Sequence, residues 1–531
     1  MLGRMHAAHG TMNAPHDGPH DGSDSDTDAV VDAFTARAQR WLESPFREQA
    51  EALEASLDLT AATAEAWARR GHEAKGLPTE AGEEWLTGPV PLLRGLRLWS
   101  RSLRRLADGK PPLDADRCGT TFDGRVAVRT FPTDRFDAAL FRGYEAHAHL
   151  APGLSVAQAV ERSGAAARAR RGGCCVILGA GNVSAITPLD ALTKCVNEQV
   201  PALVKLSPVN AWVRPFLERA LAPLIERGAM AFVEGDAAVG ARLLAHHAVT
   251  EAHLTGSRDT FERLVWGDDD PQSRKREGRP ILEPPLTSEL GNVSPVLVVP
   301  GNYGEAELEH LVGETVAMLT NNASFNCAAG KVLVVAEGWH QKESFIRRLT
   351  AALRTVPTRR AYYPGARERW TALTAGRAVE RFGRETADRL PWTLIRQLDP
   401  NATDEPLFQT EAFCPILGVV ELDVPDAIAF VEGAARFANE RLWGTLNACW
   451  FVNEEQRTLR PVREALHRAT ADLRYGTVAI NCWPALSFGL VSTAWGGHPS
   501  SSRTDIQSGQ GFVHDTFMLE GIEKTVLHAP M

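Results

Sequence analysis

The chain has 531 residues, of which 44% are hydrophobic and 23% charged, close to globular averages and long enough to bury a large core in more than one folded unit. Its 57 Lys and Arg against 66 Asp and Glu give a net charge of −9, which excludes a protein built mainly to neutralise nucleic-acid phosphates. Eight cysteines without CxxC spacing or a matching His pair exclude a zinc-finger or disulfide scaffold, and no apolar run reaches the ~18 residues that span a bilayer.

Residues 1–28, rich in His, Gly and Asp, have neither a hydrophobic period nor a signal-peptide core. A disordered tail on a cytoplasmic protein is expected, its histidines without a metal role. From Ala29, the residues Val31, Phe34, Ala38, Trp41 and Leu42 recur at three- and four-residue steps, and helices are expected to dominate to Asp108. Strand-like runs follow at Val126–Phe131 and Cys174–Leu178. Between Cys174 and Pro300, apolar runs (CCVIL, PALVKL, MAFVEG, EAHLTGS, SPVLVVP) alternate with amphipathic stretches, the pattern of a parallel sheet with crossover helices. Gly267–Pro285, charged and with four prolines, reads as an exposed loop. A second alternation runs from Glu305 to Gly476, with VLVVAEG and ILGVVEL as its clearest strands. An α/β chain with two parallel-sheet domains is predicted.

Within that frame, GAGN at 179–182 ends one strand and Lys205 ends the next, at the carboxyl edge where open α/β sheets bind ligands. Gly235 and Gly240 in EGDAAVG, then Thr255, Gly256 and Ser257, follow in order; glycines let a phosphate approach the backbone, and helix amides receive its charge. Cys327 sits among Asn321, Asn322 and Asn326 just before a strand. It is either a small buried hydrophobe or a nucleophile backed by amide donors. Glu289 in SELGNVSP, with no basic residue within three positions, is either a surface carboxylate or a base facing a cleft. Phe325, Trp483 and Trp495 are either core or the wall of an apolar tunnel.

Taken together and in this order, these motifs resemble the aldehyde dehydrogenase superfamily over about residues 125–530. NNASFNCAAG is similar to the family's nucleophile segment and places the catalytic cysteine at Cys327. Glu289-Leu290-Gly291-Asn292 is similar to its Glu-Leu-Gly-Gly motif and places the general base at Glu289. The oxyanion asparagine falls on Asn182, the ribose-binding lysine on Lys205, and the turn beside the pyrophosphate on Thr255, Gly256 and Ser257. TEAFCPIL resembles the Glu-x-Phe-Gly-Pro segment, so that Glu411 and Phe413 would hold the nicotinamide half. Family positions are altered at Ala180, Gly181, Phe261, Asn292, Ser324, Phe325 and Cys414, as in a divergent member.

The resemblance implies two Rossmann-like parallel-sheet domains plus a small oligomerisation hairpin and tail. Residues 29–149, with the N-terminal helices, and 173–298 would form the nucleotide-binding domain. Residues 299–497 would form the catalytic domain, and 150–172 and 498–531 the oligomerisation elements. It implies NAD(P)-dependent oxidation of a small-molecule aldehyde to a carboxylic acid through a Cys327 thiohemiacetal and thioester, hydrolysed by water that Glu289 activates, with no metal. Pro208 stands where NAD-preferring members carry a glutamate, so NADP is expected to be accepted, with Arg214 in reach of its extra phosphate. GIEKTVLHAP is similar to the family's C-terminal strand that pairs with a neighbouring subunit, implying a homodimer or homotetramer. Three alternatives stay open. A CoA-acylating or acyl-reducing relative would not need Glu289, a catalytically silent nucleotide-binding scaffold would not need Cys327, Glu289 and Asn182 together, and a cysteine hydrolase would use no cofactor.

Overall fold

Residues 24–531 are described in a computed structural model. Of the tail expected over 1–28, residues 1–23 lie outside the described residues, and 24–28 already belong to the helix Asp24–Glu43. Val31, Phe34, Ala38 and Trp41 of that helix are buried, as their spacing on one face requires. Helices Phe46–Lys75, Glu83–Leu86 and Pro89–Ala107 follow, so the helical opening to Asp108 is present. Trp41, Trp67 and Trp99 seat these helices on the first sheet, in one core with Cys175, Ile177 and Val204.

That sheet has six strands, in the order Gly509–Gln510, Leu286–Leu290, Glu251–Gly256, Cys175–Leu178, Ala202–Lys205 and Met230–Val233. All pairs are parallel except the first. Parallel strands joined by crossovers point the same way, so their carboxyl ends, with GAGN, Lys205, Thr255 and Glu289, share one edge.

The second sheet has eleven strands. Its parallel centre runs Ile522–His528, Thr477–Ile480, Asn447–Phe451, Ser294–Val298, Gly330–Ala336, Ile416–Leu422 and Trp392–Leu398. Antiparallel strands extend it, Glu145–Leu150, Val126–Phe131 and Cys118–Thr120 on one side and Glu380–Phe382 on the other. Gly330–Ala336 is buried at every residue, which is why it reads as a continuous apolar run instead of an alternating one. The predicted α/β class with two parallel-rich sheets is the one observed.

The partition between the sheets differs from the expectation. Ser294–Val298, read as the last strand of the nucleotide-binding domain, pairs with Gly330–Ala336 and Asn447–Phe451. The chain therefore changes sheets at residues 291–293, because an apolar run carries no mark of the sheet it joins. Residues 118–150, assigned with 29–149 to the nucleotide-binding domain, extend the large sheet instead. The loop expected at 267–285 contains a helix, Pro271–Glu277, with Asp270 as N-cap, Pro at its first turn and Gly278 as C-cap. Those residue types end helices as well as make turns, so a capped short helix looks like a loop.

The C-terminal strand also differs. Ile522–His528 pairs with Thr477–Ile480 on one edge and Glu145–Leu150 on the other, both in its own chain, so the open edge that implied a neighbouring subunit is absent. The segment 150–172 forms short helices, Val156–Arg162 and Ala165–Ala169, the first of them packed on the chain's own Leu113 and Val126. Among the described residues no helix is long and apolar enough to cross a membrane.

Lys524 anchors that strand. Its side chain is fully buried, and its ammonium donates to the carbonyls of Thr470, Ala471 and Leu473 at 3.2, 2.7 and 2.6 Å, at the end of the helix Arg460–Asp472. A cation there satisfies helix-end carbonyls that have no intrahelical partner. Lys524→Met leaves them unpaired and should destabilise the protein by at least about 2 kcal/mol, read as a lower denaturant midpoint. An unchanged midpoint would show that water replaces the ammonium.

Candidate active site

Between the carboxyl edge of the six-stranded sheet and the large sheet lies a cleft of about 630 Å³, within the range of small-molecule sites. The loop carrying Cys327 enters it from the large sheet. The helix Glu305–Thr320 ends, and Asn322, Ala323 and Ser324 adopt φ of 51°, 54° and 69° before the chain joins the strand Gly330–Ala336. Three successive non-glycine residues in the left-handed region cost about 1–3 kcal/mol each and persist only where their surroundings hold them. Asn322 Nδ2 donates to the carbonyls of Asn182 and Phe325, both at 3.0 Å, and Lys331 Nζ donates to Ser324 Oγ at 2.8 Å and to the Cys414 carbonyl at 3.2 Å. Ser324, where the resemblance implies glycine, holds φ 69°, a conformation that glycine adopts without strain.

Cys327 is half-buried and lines the cleft. Burial, then the Glu289 and Glu411 carboxylates, push its thiol well above the usual range, so it is protonated at neutral pH. Glu289 ends the strand Leu286–Leu290, is buried, and faces Cys327 and Trp495, with Oε2 making no hydrogen bond. Burial, then the charge of Asp190, pushes its carboxyl up to about 8. Asp190 lies fully buried in the helix Ile186–Leu192, accepts from Thr255 Oγ1 at 2.8 Å, and sits 3.6 Å from His253 Nε2.

Asn182 lines the same cleft. Its Nδ2 donates to the Phe325 carbonyl at 3.0 Å, which leaves the second amide hydrogen for a developing oxyanion. Its own main-chain carbonyl accepts from Lys75 Nζ at 2.9 Å, Asn322 Nδ2 at 3.0 Å and Tyr362 OH at 3.1 Å.

Lys205, Gly240, Thr255, Gly256, Ser257, Glu411 and Phe413 also line the cleft. Gly235 does not; it turns the chain at φ 144°, where a Cβ would sit 2.7 Å from Val239, just before the helix capped by Asp236. The Ser257 hydroxyl accepts from Thr260 N at 3.2 Å as the cap of the helix Arg258–Trp266. Phe261, in place of the family glycine, is buried in one cluster with Leu254 and Val265. Pro208 lines the cleft, but Arg214 does not: its guanidinium is tied to Glu218 at 2.8 Å and Glu234 at 3.5 Å, which corrects the expectation that it reaches a cofactor phosphate.

Three charged residues here were not picked out from the sequence. Asp190 and Lys331 are lone charges inside apolar runs, ITPLDAL and GKVLVV, and that isolation is the signal that marks a buried charge. Arg258 lies 4.7 Å over the Trp443 ring, and both line the cleft. The residues fit a nicotinamide dinucleotide: Lys205 offers a donor for ribose hydroxyls, Arg258 a cation for phosphates, and buried Glu411 Oε1, without a hydrogen-bond partner, is an acceptor for hydroxyls. A Cβ on Gly291 would collide with Glu411 Oε2, so only glycine lets that carboxylate in. Of the aromatic candidates, Phe325 and Trp495 are fully buried, while half-buried Trp483 donates to the Ala328 carbonyl at 2.6 Å. Cys414 is buried away from the cleft, its thiol pushed up to about 11 by burial.

The comparisons with known proteins bear out the resemblance read from the motifs. Residues 141–383 match the model of the aldehyde dehydrogenase family. The fold is similar to that of an NAD-dependent aldehyde dehydrogenase from Sinorhizobium meliloti, with 17% identity and a TM-score of 0.63 over 95% of this chain and 86% of that one. It is similar also to glyceraldehyde-3-phosphate dehydrogenase from Methanocaldococcus jannaschii complexed with NADP, with 14% identity and a TM-score of 0.64 over 95% and 94% of the two chains. A lactaldehyde dehydrogenase gives 17% identity and a TM-score of 0.62 over 96% and 92%. No curated protein matches the chain by sequence.

Glu289 must be ionised to accept a proton, and a carboxyl raised to about 8 is mostly protonated below that pH. Any turnover that needs this base should rise with pH to a midpoint near 8. Asp190→Asn removes a like charge and should move the midpoint to lower pH, measured as a pH–rate profile of acyl-enzyme hydrolysis. A midpoint that stays in place would mean that Asp190 has no electrostatic hold on Glu289.

Proposed function

We propose that this protein oxidises an aldehyde to a carboxylic acid with a nicotinamide cofactor, through a covalent intermediate on Cys327. The observation that carries this reading is the meeting of Cys327, Glu289 and Asn182 in one cleft whose other walls hold Lys205 and Glu411. Each comes from a different element, and a nucleophile, a base and an amide donor are the set that acyl chemistry requires.

The Cys327 thiol is protonated, so it loses its proton to solvent as the sulfur is engaged, and Glu289 is left for the later step. The sulfur attacks the carbonyl carbon, and the Asn182 side-chain amide with the Cys327 main-chain N–H receives the oxyanion, a donor worth ~3 to 4 kcal/mol at comparable sites. When bound, the nicotinamide accepts the hydride that turns the thiohemiacetal into a thioester. Glu289, as its carboxylate, takes a proton from the water that attacks the thioester, and the Cys327 sulfur leaves with that proton as the thiol while the acid forms. Lys205 and Glu411 would hold ribose hydroxyls of the cofactor, and Arg258 would face its phosphates.

Mixing the protein with a panel of aldehydes and NAD or NADP, and following the ultraviolet absorbance of the reduced cofactor, tests the whole reading. Cys327→Ala should abolish reduction while nucleotide binding persists, because the sulfur is needed for attack and not for holding the cofactor. Glu289→Gln should give a burst of about one equivalent of reduced cofactor and then turn over ~100 to 10,000-fold more slowly, with the acyl group on Cys327 by mass spectrometry. No burst from Glu289→Gln would place the essential proton transfer before the thioester, at the thiol itself.

Cofactor preference follows from the wall near Lys205. Ser207 and Pro208 line it, and neither repels a 2′-phosphate as a glutamate would. NADP should therefore be used at least as well as NAD. A preference for NAD above about tenfold in kcat/KM, or 1.4 kcal/mol, overturns this.

A further inference from the structure

We propose that Lys75, Glu83 and Glu84, from the N-terminal helices, are positioning residues of the catalytic centre. All three lie outside the family-matched residues 141–383, and none lines the cleft. The proposal rests on the reading of Cys327 as nucleophile and Asn182 as oxyanion donor.

Lys75 is the last residue of the helix Phe46–Lys75, and Glu84 belongs to the next helix, Glu83–Leu86. The two side chains are 3% and 1% exposed and pair at 2.8 Å. A buried ion pair loses the solvation of both charges, and an apolar pair of the same volume stabilises a fold at least as well. This pair does something an apolar one cannot: the Lys75 ammonium donates to the Asn182 carbonyl at 2.9 Å. The helix surface is cut away for it, since a Cβ on Gly71 would collide with Glu84 Oε2. Tyr362 completes the clamp, its ring 5.6 Å from the ammonium and its hydroxyl 3.1 Å from the same carbonyl and 2.9 Å from Asn322 Oδ1.

Glu83 acts on the other side. Its Oε1 accepts from Asn321 Nδ2 at 2.6 Å and from the Asn322 main-chain N–H at 3.1 Å, and its Oε2 pairs with Arg359. That N–H opens the left-handed stretch leading to Cys327. One helical pair thus grips the backbone at both partners of the chemistry, the residue whose amide meets the oxyanion and the loop that carries the sulfur. A shift of ~1 Å between such groups slows a reaction by about 100-fold. The seam continues through Trp67 Nε1 to Ser184 Oγ at 3.0 Å and Ala185 N to the Thr87 carbonyl at 3.0 Å, which keeps the helices against the residues after Asn182.

The test uses the full-length protein with Glu83→Gln, Lys75→Arg and the double change Lys75→Met with Glu84→Gln, which removes both charges together. Hydrogen exchange should quicken at the Asn322 amide in Glu83→Gln and across residues 182–187 and 321–327 in the double variant. Cofactor affinity, by fluorescence titration, should stay within about twofold, while reduction in the first turnover slows about 10- to 100-fold. Lys75→Arg should recover most of that rate. Unchanged exchange with an unchanged first turnover would overturn the proposal. So would a parallel loss of melting temperature, cofactor binding and rate, because that is the mark of a purely structural role. If the double variant does not fold, Glu83→Gln decides by the same exchange measurement. A wild-type protein that reduces no cofactor with any aldehyde sinks the proposed function, whereas the exchange data still decide whether these residues hold the loop.

Discussion

Asn322, Ala323 and Ser324 hold positive φ one after another, and the position of the Cys327 sulfur follows from that turn. Ordinary side chains leave such a conformation unless they are restrained from several directions. The restraints come from far apart in the chain: Lys331 from the following strand, the Asn182 carbonyl from a turn of the other sheet, Tyr362 from a loop of the large-sheet half, and Glu83 from the N-terminal helices. Only the seam between the two sheets brings all four within reach. The need to hold one strained loop therefore explains why the cleft lies there and why so many asparagines gather around it.

The electrostatics of the cleft have the same origin. Glu289, Asp190 and Lys331 are buried beside half-buried Glu411, and loss of solvent pushes the Glu289 and Glu411 carboxyls up and the lysine down. Lys331 opposes the rise at Glu411, whereas at Glu289 the charge of Asp190 adds to it. Two glutamates of one cleft thereby stand in different charge surroundings, Lys331 beside Glu411 and Asp190 beside Glu289.

Much of this was legible in the sequence, and its limits have physical reasons. Apolar runs such as Val126–Phe131 and Ile416–Leu422 are strands because burial on a sheet demands that pattern. The ordered motifs led to Cys327, Glu289, Asn182, Lys205 and Glu411, which the fold gathers in one cleft. Which sheet each strand joins was not legible, because Ser294–Val298 differs from its predecessors only in its distant partners. Nor were Lys75, Glu83 and Glu84, since charged residues at a helix end usually face water and only the tertiary fold buries Lys75 and Glu84 and shields Glu83 in part. Arg214 misled for the converse reason: proximity in sequence to Pro208 says nothing about the two glutamates that hold it.

The strand Ile522–His528 lies between Glu145–Leu150 and Thr477–Ile480. A nascent chain leaves the ribosome from its amino end, so the three antiparallel strands of residues 118–150 are made long before the strand that joins them to the parallel centre. Until Ile522–His528 emerges, the antiparallel strands and the centre each present an open edge. The large sheet is keyed shut by Ile522–His528, with Lys524 as the catch, so its two parts are joined only once this late segment has been made.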